Sequence, residues 1–281
     1  MPAEDIEDLK NLREQFVRFR ILIGGRANAG KTTILRGICN STENPEIYDG
    51  DGNKVWISFG MSLCRRLRYR GIHNVENELI FRGNNKLVLH DSQGFEAGRE
   101  DEFSRIQKFI KDRAMTTILK KRLHAIWYCI PMDELERAIQ CSEEKFFNEC
   151  DPGNVPVVVV FTKFDALLPR AMGKLAPADR QLPPQERVSK AKPLVEGVFN
   201  KANIWGRLAR MKYAPRFCVR MENMDRSTEG CSKLLEATTA ALNKTALRML
   251  LISAQEVNIA LCVKYAVQQW VYASVYHALI S

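Results

Sequence analysis

The chain contains the run Ile21-Leu22-Ile23-Gly24-Gly25-Arg26-Ala27-Asn28-Ala29-Gly30-Lys31-Thr32-Thr33. Residues 25–32 fit the pattern G-x-x-x-x-G-K-[ST], in which backbone N–H groups surround a phosphate. The apolar residues before the pattern are typical of a β-strand, and residues 34–38 after it are typical of a helix. A strand before and a helix after are the context that this phosphate-binding pattern requires.

The residues of this loop suit a nucleotide phosphate. Glycines 25 and 30 let the backbone curl so that N–H groups point inward, and the following helix adds the positive end of its dipole. We expect Lys31 to reach the β- and γ-phosphates and to act in catalysis, and Thr32 to offer its hydroxyl to Mg²⁺. The residues expected at the nucleotide are Gly25, Arg26, Ala27, Asn28, Ala29, Gly30, Lys31, Thr32 and Thr33.

Composition limits the class of protein. The 281 residues are 46% hydrophobic, which is enough for one large domain with a sizeable core. The net charge of +9 allows a phosphate ligand, an anionic membrane or nucleic acid, although no motif supports nucleic acid. The eight cysteines lack C-x-x-C spacing, and the acidic N-terminus lacks the apolar core of a signal peptide. We therefore expect buried, reduced thiols in a cytoplasmic protein.

Apolar periodicity predicts alternating strands and helices. We expect a short helix at residues 3–15, a main domain at 16–242 and a helical C-terminal extension at 243–281. Within the domain, we expect strands at 16–23, 125–130, 155–161 and 216–221, and a β-hairpin from 76–81 and 86–90. We expect helices at 34–38, 99–122, 132–150, 187–212 and 231–242, a surface loop at 40–53 and an irregular insertion at 167–184. This order predicts a three-layer α/β domain with a mostly parallel sheet.

A second motif, Asp91-Ser92-Gln93-Gly94, follows directly after the hairpin and fits D-x-x-G. The Asp91 carboxylate is expected to hold Mg²⁺ through a water molecule. The Gly94 N–H is expected to donate to a γ-phosphate oxygen and so to take part in catalysis. Because that bond exists only while the γ-phosphate is present, the loop would act as a conformational switch.

A third motif, Thr162-Lys163-Phe164-Asp165, follows the most strand-like run of the chain and fits [NT]-K-x-D. The Asp165 carboxylate can accept hydrogen bonds from guanine N1–H and N2–H₂, whereas adenine lacks both donors. An adenine nucleotide would leave a desolvated carboxylate unpaired, which can discriminate by ~10⁴-fold. The aliphatic stem of Lys163 would lie across the ring.

These motifs, in this order and after these strands, resemble the translation-factor-related (TRAFAC) class of P-loop GTPases over residues 16–242. Residues 41–45, 71–78 and 91–98 also look like little-characterised fungal G-domain proteins, which are distantly similar to septin and immunity-associated GTPases. The resemblance implies a P-loop NTPase G domain that hydrolyses GTP to GDP and phosphate with Mg²⁺. It also implies that the loop after the last strand touches guanine, at Glu222 and Asn223, although these residues do not match the usual Ser-Ala-Lys pattern.

The sequence departs from this pattern at the water-positioning residue. Phe95 stands where Ras-like proteins have a glutamine that orients the attacking water, so hydrolysis is expected to be slow without help. The help could come from an activating protein partner, a second protomer of a homodimer or a cation. Asn28 stands where a group of dimerising GTPases has an asparagine that helps to hold K⁺, and the alternative is that it only tolerates a left-handed turn.

Three further points stay open at this stage. Arg26 could point at a partner or at solvent, and solvent is the expectation. Thr42 and Ser62 are both candidates for a switch hydroxyl at Mg²⁺. From residue 257 onward only Lys264 is charged, so the extension could pack on the domain, dimerise or contact a membrane, and packing on the domain is the first choice.

The biochemical role also has alternatives. The chain could bind GTP as a scaffold or assembly module with little hydrolysis, it could be a ribosome- or RNA-associated GTPase, or it could be an ATPase.

Overall fold

The computed structural model describes residues 18–55, 74–92, 100–224 and 229–254. In this part of the chain seven strands form one sheet in the order β2-β3-β4-β1-β5-β6-β7. The strands are β1 (Phe19–Gly25), β2 (Glu46–Tyr48), β3 (Glu78–Phe81), β4 (Asn84–Asp91), β5 (Ala125–Pro131), β6 (Val157–Thr162) and β7 (Phe217–Arg220). Strands β4, β1, β5, β6 and β7 are mutually parallel, whereas β3 is antiparallel to both of its neighbours.

Helices cover both faces of the sheet. The α-helices in the described residues are α1 (Lys31–Ile38), α2 (Glu100–Met115), α3 (Cys141–Glu149), α4 (Leu168–Met172), α5 (Pro184–Ala202), α6 (Ile204–Leu208), α7 (Glu229–Ala241) and α8 (Thr245–Ser253). Helices α2, α3 and α5 pack in the core on one face, and α1, α7 and α8 pack in the core on the other. The three-layer α/β architecture with a mostly parallel sheet is therefore as predicted.

The two cores exist because successive side chains of a strand point to opposite faces. In β1, Leu22 packs into the first core, whereas Ile21 and Ile23 pack into the second. The run of β-branched residues in β6 is buried along its whole length, because it has parallel neighbours on both sides and helices on both faces.

A buried hydrogen bond connects the sheet to α7. Trp127 is fully buried in β5, and its indole Nε1–H donates to Thr238 Oγ1 at 2.9 Å. The Thr238 hydroxyl in turn donates to the Leu234 carbonyl oxygen at 2.7 Å. The indole donor is thus satisfied inside the core, where an unmade hydrogen bond would be destabilising.

The predicted β-strands and the hairpin are confirmed with shifts of a few residues at their ends. Other predictions need correction. The surface loop at 40–53 contains β2, which pairs with β3 at the edge of the sheet. The helix expected from residue 132 begins only at Cys141, where a capping box formed by Gln140 and Glu143 starts α3. The insertion at 167–184 contains the short helix α4, which has a proline in its first turn, where its missing N–H does no harm.

The helix expected at 187–212 is also wrong in its bounds. It begins at Pro184 and is interrupted at Asn203, which has a φ of 48° and ends α5 in the left-handed conformation. The helix predicted at 99–122 ends at Met115, and a 3₁₀ turn at Leu119–Lys121 follows it.

The C-terminal extension is described as far as residue 254. Its helix α8 packs on the domain, because Leu251 and Ala254 are buried in the same core as α7. The N-terminal helix predicted at 3–15 and the rest of the extension, at 255–281, lie outside the described residues. In the part of the chain that is described, no helix combines the length and the apolar character needed to cross a membrane.

The described cysteines are all free. Cys39, Cys129, Cys150 and Cys231 are buried as expected, and burial raises the pKa of each thiol above its ordinary value. Cys141 and Cys218 are the exceptions, because Cys141 is exposed at the start of α3 and Cys218 is half-buried in β7.

Burial should keep His124 neutral in the folded protein. Its Nδ1 accepts a hydrogen bond from the Arg20 backbone N–H at 2.9 Å, and burial together with Arg20 and Arg122 lowers its pKa to about 3. The unfolded chain takes up a proton near the ordinary pKa of 6.5. The contribution to stability is therefore complete above that pH and is lost as the pH falls from about 6.5 towards 3.

We predict that His124 alone makes the free energy of unfolding fall by about 2 kcal/mol between pH 7 and pH 5. Urea denaturation at the two pH values would measure this in the natural chain and in His124→Asn, whose side-chain oxygen can replace the Nδ1 acceptor. The variant should lose less stability on acidification, by that amount. Equal losses in both proteins would mean that His124 does not titrate differently on folding.

Candidate functional site

The predicted motifs meet at one edge of the sheet. The register pairs Ile23 with Asp91 and Gly25 with Cys129, and β6 ends at Thr162 beside the end of β5. Because these strands are parallel, the loops that follow them emerge at the same carboxyl edge. Ligands of open α/β sheets bind at this edge.

The conformation of the loop at residues 25–32, the glycine-rich loop, requires glycine where it begins. Gly25 has a φ of 126°, and a Cβ at this position would stand 2.2 Å from the Cys129 carbonyl oxygen. Gly30 has a φ of 77° and directly precedes α1. Asn28 has a φ of 58° and is exposed at the tip of the loop. Left-handed residues of this kind turn successive N–H groups towards one side, which can receive an anion.

The side chain of Lys31 folds back over the glycine-rich loop. Its Nζ donates to the carbonyl oxygens of Gly25 at 3.0 Å and Arg26 at 2.9 Å. The residue is only 9% exposed, at the N-terminus of α1. A largely desolvated ammonium beside a helix N-terminus is a strong attractor for anionic oxygens.

Asp91 supplies a half-buried carboxylate at the same edge, with its Oδ1 atom buried. Its Oδ1 has no hydrogen-bond partner among the described residues. Burial raises the pKa of Asp91 to about 6, and the nearby positive charge of Lys31 opposes that rise. An unpartnered buried oxygen fits the role predicted for it, a carboxylate that holds Mg²⁺ through water.

Thr32 lies in the first turn of α1, where its hydroxyl could join the same ion. No group of three or more His, Cys, Asp or Glu side chains that could hold a metal occurs in the described ranges. A Mg²⁺ ion here would therefore depend on Thr32, Asp91 and the oxygens of a phosphate ligand. Gly94, the predicted γ-phosphate donor, lies outside the described residues, as does Phe95.

The T-K-x-D loop lies directly beside the glycine-rich loop. A Cβ placed on Gly30 would be 3.8 Å from the Thr162 Cβ. Lys163 has a φ of 51°, and its Nζ contacts Asp133 Oδ2 at 2.6 Å. Asp133 belongs to the loop after β5 and was not predicted as a site residue. The ion pair between them is partly exposed and ties the Lys163 side chain to the loop after β5.

The loop after β7 contacts Asp165 through its backbone. The Asn223 N–H donates to Asp165 Oδ1 at 3.1 Å, and Asn223 has a φ of 49°. The Phe164 N–H donates to the Met221 carbonyl oxygen at 3.0 Å. The resemblance put Asn223 at the same base as Asp165, and the contact between them is made by a backbone N–H, which no side-chain pattern specifies.

A cavity of about 620 Å³ lies beside this contact, between α5 and α7. Asp165, Glu222 and Asn223 line it together with Lys192 and Lys233. No residue of the glycine-rich loop lines it. The cavity is therefore separate from the place where Lys31 would meet a phosphate.

The prediction that Arg26 points to solvent is wrong. Its Nε lies 3.3 Å from Glu143 Oε1, and its side chain is 11% exposed. The Glu143 side chain is fully buried, and its Oε1 also accepts from the Tyr128 hydroxyl at 3.4 Å. Burial raises the pKa of Glu143, and its other oxygen accepts from the Gln140 backbone N–H at 2.9 Å.

The Arg26–Glu143 ion pair connects the glycine-rich loop to α3, which packs on the face of the sheet opposite α1. Glu143 and Tyr128 are thus site residues that were missed. The capping pattern at the start of α3 was visible in the sequence, but its approach to Arg26 depends on the sheet order.

The remaining loop residues have simpler surroundings. Ala29 is buried, Ala27 is half-buried and Thr33 is exposed. Thr42 follows the C-terminus of α1, whereas the glycine-rich loop precedes the N-terminus of that helix. The end of α1 lies near the β3–β4 turn, because a Cβ on Gly83 would be 3.5 Å from the Cys39 carbonyl oxygen. Thr42 is therefore at the edge of the sheet opposite the glycine-rich loop. Ser62, the other candidate, lies outside the described residues.

We predict that Glu143→Gln lowers the free energy of unfolding by about 3 kcal/mol, because it leaves the Arg26 guanidinium buried without an opposite charge. Urea denaturation would measure the loss. The double variant Arg26→Met/Glu143→Gln should recover part of it. The matched control is Glu144→Gln, which removes an exposed carboxylate 3.4 Å from Arg207 and should change stability by less than about 1 kcal/mol. Equal effects of the two single variants would show that the buried pair is unimportant.

A scan against models of known protein families and a search of curated protein sequences both give no match to this chain.

Proposed function

We propose that the chain is a guanine-nucleotide-binding protein that hydrolyses GTP to GDP and phosphate with Mg²⁺ and acts as a conformational switch. Its α/β domain would be a P-loop NTPase G domain. The observation that supports this most directly is the Lys31 ammonium, which is largely buried against two carbonyl oxygens of its own loop. Phosphate oxygens would be stronger partners for that charge than neutral carbonyls.

In this proposal the loop binds the phosphates and Lys31 stabilises the charge that develops on the γ-phosphate as water attacks it. Backbone N–H groups of the glycine-rich loop would surround the β-phosphate, as the left-handed residues there favour. When bound, Mg²⁺ would neutralise charge on the β- and γ-phosphate oxygens. Thr32 and Asp91 would hold it, and the unpartnered Asp91 Oδ1 is the oxygen available for that contact.

Asp165 would select the base. Its Oδ1 already accepts one hydrogen bond from Asn223, but a carboxylate can accept about four, so both oxygens retain lone pairs for guanine N1–H and N2–H₂. The Lys163 stem, held by Asp133, would cover one face of the ring. Glu222 and Asn223 would border the base on the side of the last strand.

Hydrolysis would be slow without an activator, because Phe95 cannot orient water. A homodimer partner, a separate activating protein or K⁺ could supply the missing group. Asn28 suits a K⁺ role because its amide is exposed at the tip of the loop, and its left-handed φ equally suits the simpler role of a turn residue. The six free cysteines in the described ranges are consistent with action in the cytoplasm.

A second candidate function is a GTP-binding scaffold or assembly module with little hydrolysis. The feature that favours it is again Phe95 in the switch motif. Both candidates share the binding site, and they differ only in the fate of the γ-phosphate.

The experiment that tests the proposal is phosphate release from GTP and ATP, in K⁺ and in Na⁺ buffer, over a range of protein concentrations. We expect release from GTP only, which Lys31→Ala abolishes because the γ-phosphate charge is no longer neutralised. Turnover per molecule that rises with concentration would indicate activation by a second copy. A K⁺ requirement that disappears in Asn28→Ala would assign the cation to Asn28.

Binding of GTP without release of phosphate would support the scaffold function instead of hydrolysis. Binding of neither nucleotide, in a natively folded protein, would contradict the proposal itself.

We further predict that Asp165→Asn lowers affinity for GDP at least about 100-fold, because an amide cannot accept from both guanine donors. The same variant should bind xanthosine diphosphate better than the natural chain does, since its amide N–H₂ can donate to the xanthine 2-oxygen. Titration calorimetry would measure both affinities. Asp151→Asn, at the opposite edge of the sheet, is the matched control and should bind GDP normally. Unchanged GDP affinity in Asp165→Asn would exclude this residue from base selection.

A further inference from the structure

The two most exposed large apolar side chains of the described residues lie close together. Met115 is 75% exposed at the end of α2, and Ile118 is 57% exposed three residues later. The next most exposed, Phe217 and Leu194, are at 40% and 37%. A single exposed apolar residue needs no explanation, but two neighbours with this degree of exposure indicate a contact surface.

The loop that carries these side chains is held in a defined conformation. The Ile118 N–H donates to Thr116 Oγ1 at 3.1 Å, and the Lys121 N–H donates to the Ile118 carbonyl oxygen at 2.9 Å. Arg113 Nη1 donates to the Lys121 carbonyl oxygen at 3.3 Å, and the Arg20 Nε–H donates to the Lys120 carbonyl oxygen. Residues 115–122, the basal loop, therefore present Met115 and Ile118 from a fixed backbone.

Positively charged residues flank the two apolar side chains in the sequence. Lys120, Lys121 and Arg122 follow them directly, and Lys111 precedes them by one turn of α2. None of these four cations forms an ion pair within the described part of the chain. The sequence contains no acidic residue between Asp112 and Asp133. The basal loop therefore presents two exposed apolar side chains with three cations directly after them and a fourth one helical turn before.

The basal loop lies at the edge of the sheet opposite the candidate site. It directly precedes β5, whose first residue, Ala125, pairs with Ile21, whereas the glycine-rich loop follows the other end of β1. A surface bound at the basal loop would leave the carboxyl edge facing away from it.

The geometry points to the basal loop as a docking site for an anionic membrane surface. Met115 and Ile118 would insert among the lipid headgroups, and Lys111, Lys120, Lys121 and Arg122 would approach the lipid phosphates and carboxylates. Each cation near such a surface strengthens binding about fivefold, and each buried apolar side chain adds to this. This inference does not depend on nucleotide binding.

Two features favour lipid over other anionic partners. The basal loop has no aromatic side chain on which a nucleic acid base could stack, and its apolar tip would gain nothing from a phosphate backbone. Two apolar side chains are also too few for the buried centre of a stable protein interface. A lipid headgroup layer accepts both the insertion and the charge.

Co-sedimentation of the full chain with vesicles tests the inference. We expect binding to phosphatidylcholine vesicles that contain about 30% phosphatidylserine and much weaker binding to phosphatidylcholine alone, with an affinity that falls as salt rises. Lys120→Gln/Lys121→Gln and Met115→Ser/Ile118→Ser should each weaken binding by about tenfold or more. All substituted side chains are at the surface, and thermal melting would verify that the variants fold.

The first matched control is Lys174→Gln/Lys201→Gln, which changes an exposed lysine in the turn after α4 and an exposed lysine on α5. The second is Leu194→Ser, which changes an exposed apolar residue on α5. These should bind vesicles like the natural chain. Absence of vesicle binding by the full chain would overturn the inference. It would also be overturned if both basal-loop variants bound normally, since another part of the chain would then carry the contact. Loss of RNA binding in the lysine variant, without vesicle binding by the natural chain, would assign the surface to nucleic acid instead.

Discussion

The structure depends on the close approach of two backbones where β1 leaves the sheet. A Cβ at residue 25 would stand 2.2 Å from the Cys129 carbonyl oxygen, and Gly25 has a φ that residues with side chains rarely adopt. Only glycine lets the chain turn this closely past β5 and enter α1 within a few residues. The positions of Lys31 and of the loop N–H groups follow from that turn.

Burial of charge explains how the site is organised. Burial raises the pKa of Asp91 and of Glu143, which opposes their ionised forms, and the Lys31 side chain is also largely buried. Lys31 has two carbonyl partners, and Glu143 has Arg26 and a capping N–H. Asp91 Oδ1 has no hydrogen-bond partner in the described part. A ligand that brings anionic oxygens and a divalent cation would give partners to both Lys31 and Asp91. The nucleotide proposal therefore explains both side chains with one ligand.

The two edges of the sheet have different chemistry. The carboxyl edge has a buried ion pair and left-handed backbone. The amino edge has the exposed apolar side chains of the basal loop and cations that form no ion pair within the described residues. The seven residues of β1 separate them by about 23 Å. Binding at one edge therefore does not obstruct the other, and a domain attached to a surface through the basal loop could still exchange a ligand at the glycine-rich loop.

Local sequence patterns were sufficient to predict the alternation of strands and helices and the hairpin, because periodicity and turn residues act over a few positions. The same patterns located the motif loops that begin at Gly25 and end at Asp165. Helix ends were predicted less well, as at Asn203, where the left-handed residue was not signalled. The Arg26–Glu143 pair, the Asn223 contact with Asp165 and the basal loop required the tertiary structure. The first two join segments that are distant in sequence, and the basal loop is held in part by Arg20, which is 100 residues before Lys120 in the chain.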